Sequence, residues 1–400
     1  VKDPREVRIS VQRRARIPDP VRLERYSRLP EFGPRIFFFS GGSALRETSR
    51  VLKRYTHNSV HLITPFDSGG SSASLREAFS MLGVGDLRNR LMALADETEL
   101  GSPNVKALFS HRLDRRAEPA QLARELEALV EGNHPLLRAV PRPLRRIIRT
   151  HLRKFAQEMP EGFELRGANI GNLILAGGYL VNERDLDSVL YLFSKLVSVR
   201  GTVRPTALDD LHLVALHDSG RRTVGQHLIG KPERMAQGRI VDLELVREPG
   251  GREPVSIQGD AVSLELIDGA DLICFPMGSF FGSVLANFLP TGVGRRVRDC
   301  DCPKVYIPNA GCDPEMRGYS LSGAVEKILE FVRRDAGADT PVRRILDFVL
   351  IDGARGRYDI ELDLERLAQL GVPVIDTQLV GEDPTRIEPQ RLVEVLLSLA

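Results

Sequence analysis

The 400-residue chain has no apolar run near the roughly 20 residues that a membrane-spanning helix needs. Residues 1–30 also lack the apolar segment of a secretory signal. Charge imbalance is missing too: 56 basic against 54 acidic side chains leave +2, so no global field favours nucleic acid. The Arg-rich stretches lack the interleaved aromatics that stack on bases. Cysteine is scarce, and Cys274, Cys300, Cys302 and Cys312 all fall in one stretch. Cys300-Asp301-Cys302 is too tight for a zinc ribbon, and no paired-His motif lies beside it. These thiols therefore read as buried or incidental in a reducing compartment. The expectation is a cytoplasmic protein with no membrane and no nucleic-acid partner.

Complete nucleotide fingerprints are also absent. "FFFSGGSALRETSRVLKRY" (37–55) runs from apolar residues through a glycine turn into a helical pattern. A P-loop would need Lys-Ser or Lys-Thr where Ala44-Leu45-Arg46 stands, and a dinucleotide turn would need three spaced glycines. The turn names no ligand, but a helix start at a strand's carboxyl end offers amides and a favourable dipole to an anion. A purely structural glycine turn is the alternative.

What is present is an ordinary globular composition, 42% hydrophobic and 28% charged, with chain enough for two to three domains or one large α/β domain. Residues 1–34 form a basic leader that includes Arg5, Arg8, Arg13, Arg14 and Arg22, read as an arm packing on the body. "RIFFFS" (35–40) and "SVHLITPF" (59–66) are buried parallel strands with a helix over 44–56 between them. Helix is expected over 72–98, broken at "GVGD", and through most of 103–197. "PRPLRRIIRTHLRKF" (141–155) places Leu144, Ile148, Leu152 and Phe155 on one face and arginines opposite, either solvated or a lid over phosphate. Short β-like runs and a hairpin occupy 201–258. After 260 strand and helix alternate again. One domain over 35–400, with 103–258 inserted, is more economical than two. The fold class is α/β: a Rossmann-like, doubly wound, mainly parallel sheet in three layers.

Ligands bind such sheets at the carboxyl ends of strands. The first strand ends in Gly41-Gly42-Ser43. The second ends in Asp67, Ser68, Gly69, Gly70, Ser71 and Ser72, an acid followed by glycines and hydroxyls, although the serines equally suit helix caps. Asp67 could hold Mg²⁺ or orient a hydroxyl, which makes it the candidate catalytic residue. Asp86, Arg88 and Asn89 open the next helix, with Asp86 either a metal ligand or an N-cap. Asn169 and Asn172 share a helix face, as ligand contacts or as caps. Gly278-Ser279 repeats the strand–turn–helix design, and Asn309 ends another strand. No Ser-His-Asp or Cys-His arrangement stands out. The implied chemistry is recognition of a phosphorylated, hydroxyl-rich ligand, with Mg²⁺ the candidate cofactor.

These stretches, in this order, resemble the CofD-like family, which holds the 2-phospho-L-lactate transferases and the YvcK-type gluconeogenesis factors. The YvcK branch is nearer. Asp67 to Ser72, Gly85 to Asn89, Gly171-Asn172-Leu173, Phe275 to Phe280 and Lys304 to Asn309 match its motifs, as do "GYSLSGAVEKI" and "VPVIDTQL". The likeness covers about residues 35–398. It implies a Rossmann-like core and a nucleotide diphosphate or nucleotide-sugar ligand. It further implies either a metabolic sensor or a Mg²⁺-dependent phosphotransferase acting on an alcohol acceptor. A homodimer is compatible with it, and a scaffold with a vestigial site is a third reading. Ser43-Ala44 and Pro276-Met277-Gly278 depart from the family's glycine turns. Asp67-Ser68 stands where paired aspartates are usual, which implies a divergent subgroup and weakens transfer chemistry most.

Overall fold

The computed structural model describes residues 15–98, 103–231 and 238–400. A seven-stranded sheet forms its middle layer. The strands are β1 (Ile36–Ser40), β2 (Val60–Ile63), β3 (Thr202–Pro205), β7 (Leu272–Phe275), β8 (Lys304–Tyr306), β9 (Phe348–Ile351) and β10 (Val374–Asp376). Every pairing in it is parallel, in the order β10-β9-β8-β7-β1-β2-β3. A second, antiparallel sheet has the order β5-β4-β6, from β4 (His212–His217), β5 (Arg222–Val224) and β6 (Ile240–Val246). The expected α/β, Rossmann-like fold is what the chain adopts.

The central position of β1 follows from its sequence. All five residues are buried, and side chains alternate faces along a strand. Phe37 and Phe39 enter one core layer with Phe275 and Phe288, beneath the helices Leu321–Ala336 and Val293–Asp299. Ile36 and Phe38 enter the other with Leu272, Cys274 and the C-terminal helix Pro389–Leu399. A strand apolar on both faces is stable only with helices on both sides. A third apolar cluster lies among the helices between Gly70 and Leu196 and meets the sheet at Ile63 and Val203.

The chain leaves β1 toward β2 and β3, then returns on the other side as β7. The carboxyl ends of β1 and β7 therefore flank the point where winding direction reverses, and a crevice opens there. Three local expectations need correction. Thr202–Pro205, inside the stretch read as an insertion, pairs with β2 and forms the edge of the main sheet. The helix after β1 spans only Arg46–Leu52. The segment after Ser279 is not an α-helix but a π-turn, Phe280–Val284, running into a 3₁₀ turn, Leu285–Phe288.

Of the basic leader, residues 1–14 lie outside the described residues. The rest does pack on the body: helix Pro20–Arg28 lies against Pro389–Leu399, with the Asp19 amide donating to Ser398 Oγ at 2.8 Å.

Candidate functional site

A cleft of about 300 Å³ opens at the β1/β7 crevice, lined by Gly41, Gly42, Ser43, Asp67, Asp86, Met277, Gly278, Ser279 and Glu315. The segment that follows β5 contributes Gln226, His227, Ile229 and Lys231 to its lining. Gly225, at φ +98°, turns the chain after β5 and delivers Gln226 and His227 to the rim. A neighbouring cavity of about 380 Å³ shares Ser43, Ala44 and Met277 and adds Arg46, Asn309 and Arg386.

Asp67 follows β2 and is held by its own loop. Its Oδ1 accepts from the Gly69 amide at 3.0 Å and its Oδ2 from Ser72 Oγ at 2.6 Å. Ser72 Oγ in turn accepts from the Gly85 amide at 3.1 Å, tying this loop to the next helix. That helix, Gly85–Leu94, has Val84 as its N-cap residue, so Asp86 is not the cap. Asp86 is part-buried in the cleft wall. Burial pushes its carboxyl up to about 7, Asp67 adds to the rise, and the Gly42 amide, Arg90 and Arg88 oppose it. A second acid beside Asp67 is thus supplied from another segment and not from position 68: Asp67 and Asp86 face the same space.

Gly42 is required by Asp86. A Cβ there would lie 2.0 Å from Asp86 Oδ1, and one on Gly41 would lie 2.5 Å from Ser283 Oγ. Beneath the turn sits Arg90, wholly buried, donating to the Gly41 carbonyl at 2.8 Å and to Ser49 Oγ at 2.6 Å. A buried arginine is stable only with such partners, and here its partner is the turn itself.

The second glycine turn is also occupied by protein groups. Asn309 clasps Gly278 from both sides: its Oδ1 accepts from the Gly278 amide at 3.0 Å, and its Nδ2 donates to the Gly278 carbonyl at 2.7 Å. The Phe280 amide donates to Asp313 Oδ2 at 3.0 Å, and the Phe281 and Gly282 amides donate to Glu315 Oε2, each at 2.8 Å. The Gly278 amide expected to meet a ligand is therefore taken by Asn309, and the amides of Phe280, Phe281 and Gly282 that follow are capped by carboxylates. Burial pushes Asp313 up to about 6; burial, followed by the Asp313 charge, pushes Glu315 up to about 8.

Other expected ligand contacts serve one another. Asn169 is the fully buried N-cap of helix Ile170–Val181, accepting from the Asn172 amide at 3.1 Å. Asn172 accepts from Arg88 Nε at 2.9 Å and donates to Ser71 Oγ at 3.0 Å, and Arg88 donates to Asn89 Oδ1 at 2.7 Å. This network braces the Asp67 and Asp86 segments from behind. Ser68 meets His227, Oγ to Nδ1 at 2.8 Å. Gly70 adopts φ +51° with open space where a Cβ would be. His227, Gln226 and Glu315 escaped sequence reading because each reaches the cleft from a distant segment. Only the glycine in "TVGQH" hinted at a turn there.

Comparison with known proteins identifies the family. Residues 36–380 match the family described as 2-phospho-L-lactate transferase CofD. The chain belongs to the CofD family. The "Gluconeogenesis factor" of Bacillus subtilis is 26% identical over 380 residues, 92% of this chain and 98% of its own length. A Nostoc sp. relative provisionally given the same name is 28% identical over 381 residues, 91% of this chain and 68% of its own. A crystal structure of a UPF0052-family protein from Bacillus halodurans shares the fold, with TM-score 0.65 at 24% identity, covering 91% of this chain and 99% of that one. The motifs read as CofD-like thus lie in a CofD-family chain whose curated relatives include gluconeogenesis factors. Among the described residues no helix is long and apolar enough to cross a membrane.

Proposed function

We propose that this cleft binds a nucleotide diphosphate or nucleotide sugar together with Mg²⁺, and that the protein is a ligand-responsive regulator of metabolism. The carrying observation is that Asp67 and Asp86 line one cleft with the Gly41-Gly42-Ser43 turn. Two part-buried acids beside the glycine turn repel a bare diphosphate and suit a cation shared between carboxylates and phosphate oxygens. Mg²⁺ commonly takes one or two protein carboxylates and keeps several waters. Asp67 and Asp86 would hold it; when bound, it neutralises phosphate charge. Arg46 and Arg386 in the adjoining cavity offer the forked donors that phosphate and carbonyl groups accept. The gluconeogenesis-factor names among the relatives support the regulatory side of the reading.

A second reading, transfer of a phosphoester group from a nucleotide diphosphate carrier to an alcohol with the nucleoside monophosphate leaving, is favoured by His227. It stands at the rim 2.8 Å from Ser68, and burial lowers its pKa, so a neutral ring is available as a base. The test is calorimetric titration with UDP, GDP and a uridine nucleotide sugar, with and without Mg²⁺, followed by a turnover assay with a deazaflavin acceptor. Mg²⁺-assisted binding without turnover supports the regulator, and turnover replaces it with the transferase. Absence of binding under all conditions refutes both.

A further inference from the structure

We propose that His111, Glu125 and His134, none of which lines the cleft, form a binding site for a divalent metal of the zinc class. Their potential ligand atoms all lie within 4.8 Å of one another, the one such group among the described residues. The convergence is built by backbone. His111 directly follows helix Pro103–Ser110, and Glu125 lies mid-way along helix Pro119–Glu131. Gly132, at φ +87°, reverses the chain, and the Asn133 and His134 amides both donate to the Ala128 carbonyl, at 2.8 and 3.0 Å. His134 is thereby returned beside Glu125.

Both imidazoles aim Nε2 at one carboxylate oxygen, Glu125 Oε1: His111 from 2.8 Å and His134 from 3.7 Å. Zinc takes nitrogen at about 2.0–2.1 Å and carboxylate oxygen at about 2.0–2.2 Å, so tetrahedral ligand atoms sit roughly 3.3–3.6 Å apart. The His134 spacing closes by roughly 0.1 Å or more to enter that range, and the His111 spacing opens by less than about 1 Å on loading. All three residues are part-exposed, which leaves a fourth position open to water. Two neutral nitrogens with one carboxylate is a donor set that zinc accepts.

The protons balance without release. His134 Nδ1 accepts from the Leu136 amide at 3.3 Å, so the proton of the neutral ring is on Nε2. Metal binding at Nε2 moves that proton to Nδ1 and frees the Leu136 amide. The His111 ring, which donates from Nε2 to Glu125, shifts its proton in the same way. The site also touches the rest of the fold, because the His111 carbonyl accepts from the Ile170 amide at 2.9 Å and from Asn169 Nδ2 at 3.1 Å. A metal on His111 would stiffen the cap of the helix that carries Asn172.

The test uses the full chain, stripped with a chelator and titrated with Zn²⁺ and Co²⁺ near neutral pH. The expected result is one equivalent bound, with cobalt absorption of a nitrogen–oxygen site. Glu125→Gln keeps a hydrogen bond to His111, and His134→Gln leaves that pair intact, so each should fold as judged by circular dichroism. Each should weaken binding at least about tenfold. Three results overturn the proposal: no stoichiometric binding, a thiolate–cobalt band placing the metal on Cys300 and Cys302, or unchanged affinity in the folded variants.

Discussion

Gly42 and Asp86 occupy the same small volume: the place of a Cβ on the one is 2.0 Å from a carboxylate oxygen of the other. The glycine is therefore demanded by the protein's own acid before any ligand arrives. Gly42→Ala should destabilise the ligand-free protein by about 1–3 kcal/mol, the usual cost of overpacking. The cost should shrink when Asp86 is also replaced by Ala, as coupled neighbours do. Thermal unfolding of the two single variants and the double variant checks this. An unchanged cost in the double variant would show that Asp86 is not the obstacle.

Glu315 provides a pH dependence. Its carboxyl is pushed up to about 8 in the fold, above its ordinary value of 4.5. The folded state therefore holds this proton more tightly, and stability falls as pH rises between those values. Glu315→Gln keeps an oxygen for the Phe281 and Gly282 amides and carries no charge to bury. Its melting temperature relative to the parent should rise from pH 5 to pH 9, by roughly 2 °C or more. A difference flat across that range contradicts the shift.

Asp67 bears on metal assistance. Its two oxygens already accept from Gly69 and Ser72, and Asn at this position preserves one acceptor and the shape. Asp67→Asn should weaken nucleotide diphosphate binding about tenfold or more with Mg²⁺ present and little without it. Equal losses in both conditions, read by calorimetry, would make Asp67 a structural residue of the loop.

Asn309 should act through Gly278. Removing its amide in Asn309→Ala deletes both bonds to that turn and leaves the Gly278 amide and carbonyl unpaired, at about 1–3 kcal/mol. Asn309→Asp keeps the acceptor but sets a carboxylate oxygen against the Gly278 carbonyl and Asp313 Oδ2, and should be no more stable than the alanine variant at neutral pH. Ligand affinity should follow the same order. Stability that drops without a matching change in affinity would separate the clasp from the site.

Much of the architecture was legible in short stretches. Four apolar residues, "IFFF", ending in Ser40 and a glycine turn read as a strand buried on both faces, and 3.6-residue periodicity marked the helical region between 103 and 197. The strand ends bearing Gly, Asp and Asn were visible for the same reason, since their pattern is contained within a few residues. Long-range pairing leaves no such local mark. Asp86 reaches Gly42 from 44 positions away, and His227 reaches Ser68 across 159. The Phe281 and Gly282 amides find Glu315 more than 30 residues on. Thr202–Pro205 looked like part of an insertion because four residues carry too little pattern to reveal their neighbour. Local chemistry thus specified the strands, the glycine turns and the candidate acids. Packing of distant segments decided which acids share the cleft, which amides are already capped, and that a histidine stands at its rim.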